Sequence, residues 1–234
     1  MNRPKTAVVI PAYNEEKSIG RVLEEIPRDW IQEVIVVDNG SSDSTSAVAK
    51  RGGARVVVEP NRGYGNACLT GIAHLPEHTE VVVFMDGDYS DYPGEIPNLL
   101  SNLWSKEADM VIGSRVLGHC EKGSLTFSQK VGNRLSTLLI KWLYGHAYTD
   151  LGPFRAIKTE ALRRLKMRDR NFGWTVEMQI KALQQGLKVI EVPVSYRERI
   201  GKSKISGTIS GTFKAGGKIL WTIGKLFLQK RTRN

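Results

Sequence analysis

The sequence of residues 6–37 reads TAVVIPAYNEEKSIGRVLEEIPRDWIQEVIVV. It begins and ends with short runs rich in Val and Ile, at 6–10 and 33–37, which are typical of strands buried on both faces of a sheet. The segment between them carries apolar residues at the i, i+3, i+4, i+7 spacing of one helical face: Ile19, Val22, Leu23 and Ile26. Asn14 is the predicted N-cap of this helix, and Pro27 helps to end it. The stretch therefore predicts a strand, a helix and a second strand.

The same alternation continues through the first half of the chain. Further apolar runs occur at 54–58, 80–84 and 108–112, and helical patterns occur at 43–50, 64–74 and 93–105. Repeated units of this kind predict a doubly wound, mostly parallel α/β sheet.

The second half has a different pattern. Helices are predicted at 127–145 and 173–186, followed by a short strand within 187–196. In the first of these helices, apolar residues share one face: Val131, Leu135, Leu138, Leu139 and Trp142.

Most of the net charge of +10 is concentrated at the C-terminal end. In residues 197–234, Lys and Arg outnumber the acids by ten to one, so this segment carries +9 and the rest of the chain is near neutral. The two cysteines, Cys68 and Cys120, have no CxxC spacing, which argues against a disulfide framework and a zinc site. The chain shows neither a signal-peptide pattern nor an uncharged run long enough for a membrane span. We therefore expect a cytoplasmic location.

The segment 205–234 is predicted to be a basic amphipathic tail that follows a domain of residues 1–204. Its apolar residues lie near one helical stripe: Ile205, Ile209, Phe213, Leu220, Ile223 and Phe227. This pattern predicts an interfacial helix on an anionic membrane surface, which makes the protein peripheral on the cytoplasmic face of a membrane. The alternative is an ordinary amphipathic helix packed on the sheet.

Polar clusters follow four of the predicted strands. They read PAYNEE, DNGSSD, EPNRGYGN and DGDYSD in chain order. In open α/β sheets, ligands bind beyond the carboxyl ends of the strands. Four such clusters at one edge predict a shared site.

The cluster after the fourth strand is acidic. Asp86 and Asp88 flank Gly87, and Asp91 follows. Mg²⁺ and Mn²⁺ take oxygen ligands and commonly share one or two carboxylates with phosphate oxygens. A lone D-x-D pattern is common in solvated turns, but here a buried strand precedes it, which favours a metal site.

Four motifs occur in the order and spacing of family-2 glycosyltransferases: VVIPAYNEEKSI, VIVVDNGSSDST, NRGYGNA with TGI, and FMDGDYSDYP. The chain resembles this family almost continuously through its first half. IGSR, TDLGPFRA, GWTVEM and VPVSYRERIGKSKIS are similar to segments of dolichyl- and polyprenyl-phosphate mannosyl- and glucosyltransferases. The resemblance implies a GT-A fold that binds a nucleotide sugar such as UDP-glucose or GDP-mannose.

The resemblance also implies roles for the matched residues on the donor side. Those that would line the nucleotide pocket are Pro11, Ala12, Tyr13 and Glu15. Asp38 would contact the base, and Asp86 and Asp88 would hold Mg²⁺ or Mn²⁺ against the donor diphosphate. Ser90 stands where the pattern of dolichyl-phosphate mannosyltransferases has a glutamine that completes the metal shell.

The acceptor is expected to be a polyprenyl-type phosphate. Many inverting members of the family carry a Glu-Asp pair whose acid deprotonates an acceptor hydroxyl, but here Glu177 is followed by Met178. A hydroxyl needs a general base, whereas a phosphate is already an anion. The alternative is a sugar or lipid hydroxyl acceptor with Glu177 as base.

A phosphate acceptor requires cations, and guanidinium groups suit phosphate recognition. The candidates are Arg134, Arg155, Arg197, Arg199, Lys202 and Lys204, with Arg115 near both the donor and the acceptor phosphates. Asp88, Arg115, Arg155 and Arg199 form the predicted catalytic set. Arg134 is interpreted equally well as the solvated face of a helix. Phe172 and Trp174 are more typical of a core pair than of an acceptor pocket.

Two other classes of protein fit less well. A nucleotidylyltransferase would need a basic, Gly-rich loop after the first strand, where PAYNEEKSIG is acidic. A nucleic-acid-binding module is disfavoured because the cations are confined to the tail, and no nucleic-acid partner is expected.

Overall fold

The computed structural model describes residues 3–201 and 209–231, and within 209–214 and 230–231 it describes only the backbone. Lys202, Lys204 and Ile205 lie outside the described residues, as do the side chains of Ile209 and Phe213. The predictions made for them stay predictions.

Seven strands form one sheet: β1 Thr6–Ala12, β2 Glu33–Asp38, β3 Arg55–Val58, β4 Val81–Phe84, β5 Met110–Ser114, β6 Arg155–Lys158 and β7 Val189–Pro193. Their order is β3-β2-β1-β4-β6-β5-β7. Only β6 runs antiparallel to its neighbours, so the first five strands and β7 point their carboxyl ends to the same edge. The predicted doubly wound, mostly parallel sheet is confirmed.

Eight α-helices accompany the strands in the described residues: α1 Ile19–Glu25, α2 Thr45–Arg51, α3 Tyr64–Ala73, α4 Ile96–Ser105, α5 Phe127–Tyr144, α6 Thr159–Leu165, α7 Trp174–Gln184 and α8 Ile209–Arg231. Alternate residues of the buried strands feed two cores. Val8 and Ile10 pack on one face with α1, α2 and α4, whereas Val9 packs on the other with α3 and α5–α8.

The predicted start of α1 was wrong. The helix begins at Ile19 after Ser18, and Asn14 lies in the left-handed region with φ of 53°, which Asn tolerates better than most residues. Its side-chain oxygen accepts a hydrogen bond from the Ser42 N–H at 2.8 Å. Asn14 therefore joins the loop after β1 to the loop after β2 instead of capping a helix.

Helix α8 packs against α5 and α7. Ile223 is fully buried, and its carbonyl accepts a hydrogen bond from the Tyr144 hydroxyl at 2.9 Å. Gln184 of α7 donates to the Leu226 carbonyl at 3.1 Å. One face of the helix thus completes a core against α5 and α7, whereas the alternative interpretation expected packing on the sheet, and Trp221 stays exposed. The interfacial role of the tail stays a prediction.

Among the described residues, no helix combines the length and the apolar composition that crossing a bilayer requires.

Candidate active site

A cavity of about 390 Å³ opens at the carboxyl edge of the sheet. Its lining comes from the ends of β1, β2 and β4, the turn before α3, the segment before α7, and Arg199. Four predicted donor-site residues line it, namely Pro11, Ala12, Tyr13 and Glu15, together with Asp86 and Asp88. The structure therefore brings together residues that are far apart in the chain, such as Glu15 and Arg199, which are 184 positions apart.

The acids after β4 form a cluster in which Asp88 and Asp91 are buried and Asp86 is partly buried in the cavity lining. The Tyr64 hydroxyl donates to Asp86 Oδ1 at 3.1 Å, and the Asp86 N–H donates to Asp91 Oδ2 at 3.1 Å. Burial, together with the negative charge of Asp88, raises the pKa of Asp86 to about 7. Burial and the charge of Asp86 also raise the pKa of Asp91 well above its usual range. Burial and mutual repulsion thus disfavour the charged forms of these carboxylates.

Ser90 fixes the orientation of Asp88. Its hydroxyl and its backbone N–H donate to Asp88 Oδ1 at 2.5 and 3.0 Å. Asp88 Oδ2 is left to face Arg199, whose Nη1 lies 3.1 Å away. At the position of the family's glutamine, the serine thus acts on the neighbouring carboxylate in this structure.

Arg199 brings positive charge to this cluster. Its Nη2 lies 3.2 Å from Glu15 Oε1, so the guanidinium bridges acids of the loops that follow β1 and β4. Its Nε is buried and has no hydrogen-bond partner among the described residues. An enclosed N–H of this kind suits an oxygen of a bound anion.

The acidic cluster fits a divalent cation. It holds buried carboxylates that repel one another, and hard oxygen ligands are those that Mg²⁺ and Mn²⁺ prefer. Within residues 3–201 and 209–231, no three His, Cys, Asp or Glu side chains form a complete metal site. A cation held by Asp86 and Asp88 would therefore take its other ligands from a diphosphate and from water.

Tyr13 and Arg62 form an aromatic and cationic wall of the cavity. The Arg62 guanidinium carbon lies 3.3 Å from the centre of the Tyr13 ring. Arg62 Nη1 donates to the Asn39 carbonyl at 3.2 Å, and Asn39 Oδ1 accepts from the Gly63 N–H at 2.8 Å. These bonds join the loop after β2 to the turn before α3.

Two glycines allow that turn to touch the opposite wall. A Cβ at Gly63 or Gly65 would lie 2.2 or 2.1 Å from the carbonyl oxygens of Arg170 and Asp169 respectively. Gly63 also has a φ of +145°, which side chains disfavour. The Gly63-x-Gly65 pattern therefore serves close backbone approach, which positions Phe172 in the lining.

Asp38 lies beside the cavity and is not part of its lining. Its carboxylate accepts hydrogen bonds from the Ser41 N–H at 2.8 Å and from the Ser46 hydroxyl. In this structure it orders the loop after β2, while the next residue, Asn39, lines the cavity. The predicted contact with a base stays a prediction.

Arg115 and Arg155 are both engaged by the protein. Arg115 forms a bidentate pair with Asp150, with both N–O distances at 2.7 Å. Arg155 is fully buried, and it donates to the Thr175 carbonyl at 3.1 Å and to the Gly152 carbonyl. Neither belongs to the cavity lining, so the structure does not bring them to the predicted phosphate position.

Arg197 and Arg134 also lie outside the lining. Arg197 forms a bidentate pair with Glu25, at 3.1 and 2.7 Å, and stacks 3.3 Å from the centre of the Tyr89 ring. Arg134 is exposed on α5. Of the four predicted acceptor-phosphate cations, the two that are described do not meet at the cavity.

Glu177, the possible base, is buried beneath the segment before α7. Its carboxylate accepts hydrogen bonds from the backbone N–H groups of Arg168 and Asp169, the latter at 2.7 Å, and pairs with Lys181 at 2.7 Å. It is not part of the cavity lining. The structure thus uses Glu177 to hold one wall of the cavity.

Several lining residues were not singled out from the sequence: Asn39, Arg62, Tyr64 and Asn171. Three of them belong to the polar clusters after the strands, namely Asn39, Arg62 and Tyr64. The sequence therefore predicted that these segments reach the site, without identifying the individual residues. Phe172 lines the cavity although a core role was favoured, whereas Trp174 is a core residue that packs edge-on against Phe84 at 6.0 Å.

Comparisons with known proteins identify the family of the chain. The model described as "Glycosyl transferase family 2" matches residues 7–166. An uncharacterised glycosyltransferase of Mycobacterium tuberculosis is 38% identical over 211 residues, which cover 89% of this chain and 93% of that protein. The dolichyl-phosphate hexose transferase of Haloferax volcanii is 34% identical over 232 residues, covering 97% of this chain and 96% of that protein.

Among solved structures, glucosyl-3-phosphoglycerate synthase of Mycobacterium tuberculosis, in complex with Mn²⁺, UDP and glucosyl-3-phosphoglycerate, superposes with a TM-score of 0.75. The two chains are 23% identical, and the match covers 94% of this chain and 80% of that one. This likeness shows the shared GT-A fold. The chain belongs to glycosyl transferase family 2, and the protein is a glycosyltransferase.

Proposed function

We propose that the protein transfers a hexose from a nucleoside diphosphate sugar to a polyprenyl-type phosphate, with inversion at the anomeric carbon. The observation that carries the proposal is the placement of the carboxylates. Glu15 and Asp88 pair with Arg199, and Glu177 is bonded to backbone outside the cavity. With Asp86 and Asp88 assigned to the proposed cation, a hydroxyl acceptor would lack a free carboxylate base in the described lining of the cavity, whereas a phosphate needs none.

In the proposed reaction, an oxygen of the acceptor phosphate forms a bond to the anomeric carbon. The bond from that carbon to the donor diphosphate breaks, and the nucleoside diphosphate leaves with the electron pair. A Mg²⁺ or Mn²⁺ ion bound by Asp86 and Asp88 would supply positive charge to the leaving diphosphate. Arg199, whose Nε is buried without a hydrogen-bond partner among the described residues, would donate to the same oxygens.

The wall of Tyr13 and Arg62 is the proposed nucleoside side of the cavity, because an aromatic ring and a guanidinium plane both suit stacking with a base. The name of the Haloferax relative supports a lipid-phosphate acceptor. The complex of the structural neighbour with Mn²⁺ and UDP supports a nucleoside diphosphate sugar as donor and a divalent cation as cofactor. The proposed location is peripheral, on the cytoplasmic face of a membrane.

A matched pair of acceptors tests this proposal. The full chain is incubated in detergent with Mn²⁺ or Mg²⁺ and with UDP-glucose or GDP-mannose, adding either a short polyprenyl phosphate or the corresponding polyprenol. We expect one donor to release its nucleoside diphosphate, with formation of a glycosyl phospholipid, only when the phosphate is present. Equal transfer to the polyprenol would contradict the proposed acceptor and leave the donor site intact.

A further inference from the structure

The outer face of α5 carries an exposed apolar stripe. The side chains that form it, here named the α5 stripe, are Phe127, Val131, Leu135, Leu138 and Trp142. Phe127 is 83% exposed and Trp142 is 80% exposed. Isolated apolar side chains are common on protein surfaces, but a continuous apolar patch indicates an interaction site.

The geometry of the helix shows that the α5 stripe faces away from the core. At about 100° per residue, its five members fall within an arc of about 80° centred opposite Ile140, which is fully buried. Three cations line one border of the stripe, within about 40° of one another around the helix axis: Lys130, Arg134 and Lys141. The helix contains no Asp or Glu. The stripe is thus bordered by a row of cations with no acid on the same helix.

Polar contacts hold α5 in this orientation and tie it to the edge that bears the cavity. The Asn133 side chain donates to the Thr149 carbonyl and accepts from the Leu151 N–H, both at 2.9 Å. Asp150, between those two residues, pairs with Arg115 at the end of β5. The stripe is therefore presented by a helix fixed at the catalytic edge of the sheet.

We propose that the α5 stripe is a membrane-docking surface that lies in the interface of an anionic bilayer, with its aromatic ends inserted and its cations against lipid phosphates. Aromatic and aliphatic side chains bordered by Lys and Arg on one helix are the features of an interfacial helix. A second copy of the chain fits less well, because a symmetric contact would bring two rows of positive charge together. The inference rests on the proposed function in one respect, since a lipid acceptor must reach the cavity from a membrane.

Vesicle binding without donor or acceptor tests this surface separately from catalysis. The full chain is sedimented with vesicles of phosphatidylcholine and phosphatidylglycerol in equal parts, and with vesicles of phosphatidylcholine alone. We expect tighter binding to the anionic vesicles. Lys130→Gln/Lys141→Gln should weaken that binding about twenty-five-fold, because each basic residue near an anionic surface contributes roughly a factor of five. Lys50→Gln/Lys106→Gln removes equal charge from exposed sites at α2 and beside α4, and should leave it unchanged.

The apolar contribution has its own matched control. Phe127→Ser/Trp142→Ser should weaken vesicle binding on the order of a hundredfold, because two aromatic rings no longer leave water. Trp104→Ser changes an exposed tryptophan of α4, on the other face of the sheet, and should have no effect. Equal binding by these two variants overturns the proposal. A dimer of the wild type that dissociates in Phe127→Ser/Trp142→Ser, with unchanged vesicle binding, overturns it in favour of a second copy.

Failure of the proposed function would look different. In detergent with a short polyprenyl phosphate, Phe127→Ser/Trp142→Ser should transfer at the wild-type rate, because both side chains lie outside the cavity lining. Loss of transfer in the variant under these conditions would overturn a docking role for the stripe. Absence of transfer in the wild type itself would contradict the proposed reaction and leave the vesicle result standing.

Discussion

Arg197 and Arg199 lie two residues apart, and their side chains reach different regions of the molecule. Arg199 enters the cavity and bridges Glu15 and Asp88. Arg197 instead packs on the Tyr89 and Tyr92 rings and pairs with Glu25, away from the cavity lining. The segment runs beside the acidic loop, with the Arg197 and Ile200 N–H groups donating to the carbonyls of Ser90 and Asp88, both at 3.0 Å.

The difference shows that one short basic segment serves both the site and the scaffold. The sequence YRERIGKSK suggests a uniform anion-binding cluster, because cations so close together repel one another without a counter-ion. In the structure, the counter-ions of its two arginines are carboxylates of the protein. The carboxylates that pair with Arg199 lie where a donor diphosphate is proposed to bind. The carboxylate that pairs with Arg197 lies elsewhere.

Replacing the acid that Arg199 contacts should give the largest effect. Asp88→Asn keeps an oxygen to accept the Ser90 hydrogen bonds but loses the charge that faces Arg199 and the proposed cation. We expect kcat/KM for transfer to fall on the order of a thousandfold. The assay is release of nucleoside diphosphate in the presence of Mn²⁺ and the lipid phosphate, with far-UV circular dichroism as the control for folding. Wild-type turnover in a folded variant would contradict the metal role of Asp88.

Replacing each arginine should give the next largest effects. Loss of Arg199 should lower activity, whereas loss of Arg197 should lower stability. Arg199→Ala is expected to lower kcat/KM about a hundredfold, because it removes a cation and a buried donor from the cavity. Arg197→Ala should keep kcat/KM and lower the free energy of unfolding by about 1 to 2 kcal/mol, since it loses a partly exposed ion pair and two ring contacts. Activity assays and urea unfolding of both variants measure the contrast. A large activity loss in Arg197→Ala without a loss of stability would place Arg197 in the site.

Residues near strand ends were the most predictable part of the site. Asp86 and Asp88 follow the buried run at 80–84, and Pro11, Tyr13 and Glu15 fall at and just after the end of β1. A parallel sheet brings such residues to one edge whatever the rest of the chain does. Local pattern was therefore enough to place them.

The contacts that long side chains make could not be predicted from local pattern. Arg155 lies in β6, whose four residues RAIK include one β-branched residue and gave no strand signal. Its hydrogen-bond partner at Thr175 is 20 positions away and can be identified only once the fold is known. Helix α5 shows the same limit, because periodicity grouped Val131, Leu135 and Trp142 on one face without indicating that this face is exposed.

Glu177 should give the smallest effect on chemistry. Its carboxylate holds the backbone of Arg168 and Asp169, so Glu177→Gln weakens one wall of the cavity without removing a group that lines it. We expect KM to rise and kcat to fall less than about tenfold, far below the 10²–10⁴-fold loss that removal of a general base causes.

Lys181→Met is the matched control, because it breaks the same 2.7 Å ion pair while keeping the carboxylate. If Glu177 positions the wall, both variants lower the melting temperature and leave the pH profile of kcat unchanged. If Glu177 is the base, only Glu177→Gln loses the ascending limb of that profile, and the acceptor must then be a hydroxyl.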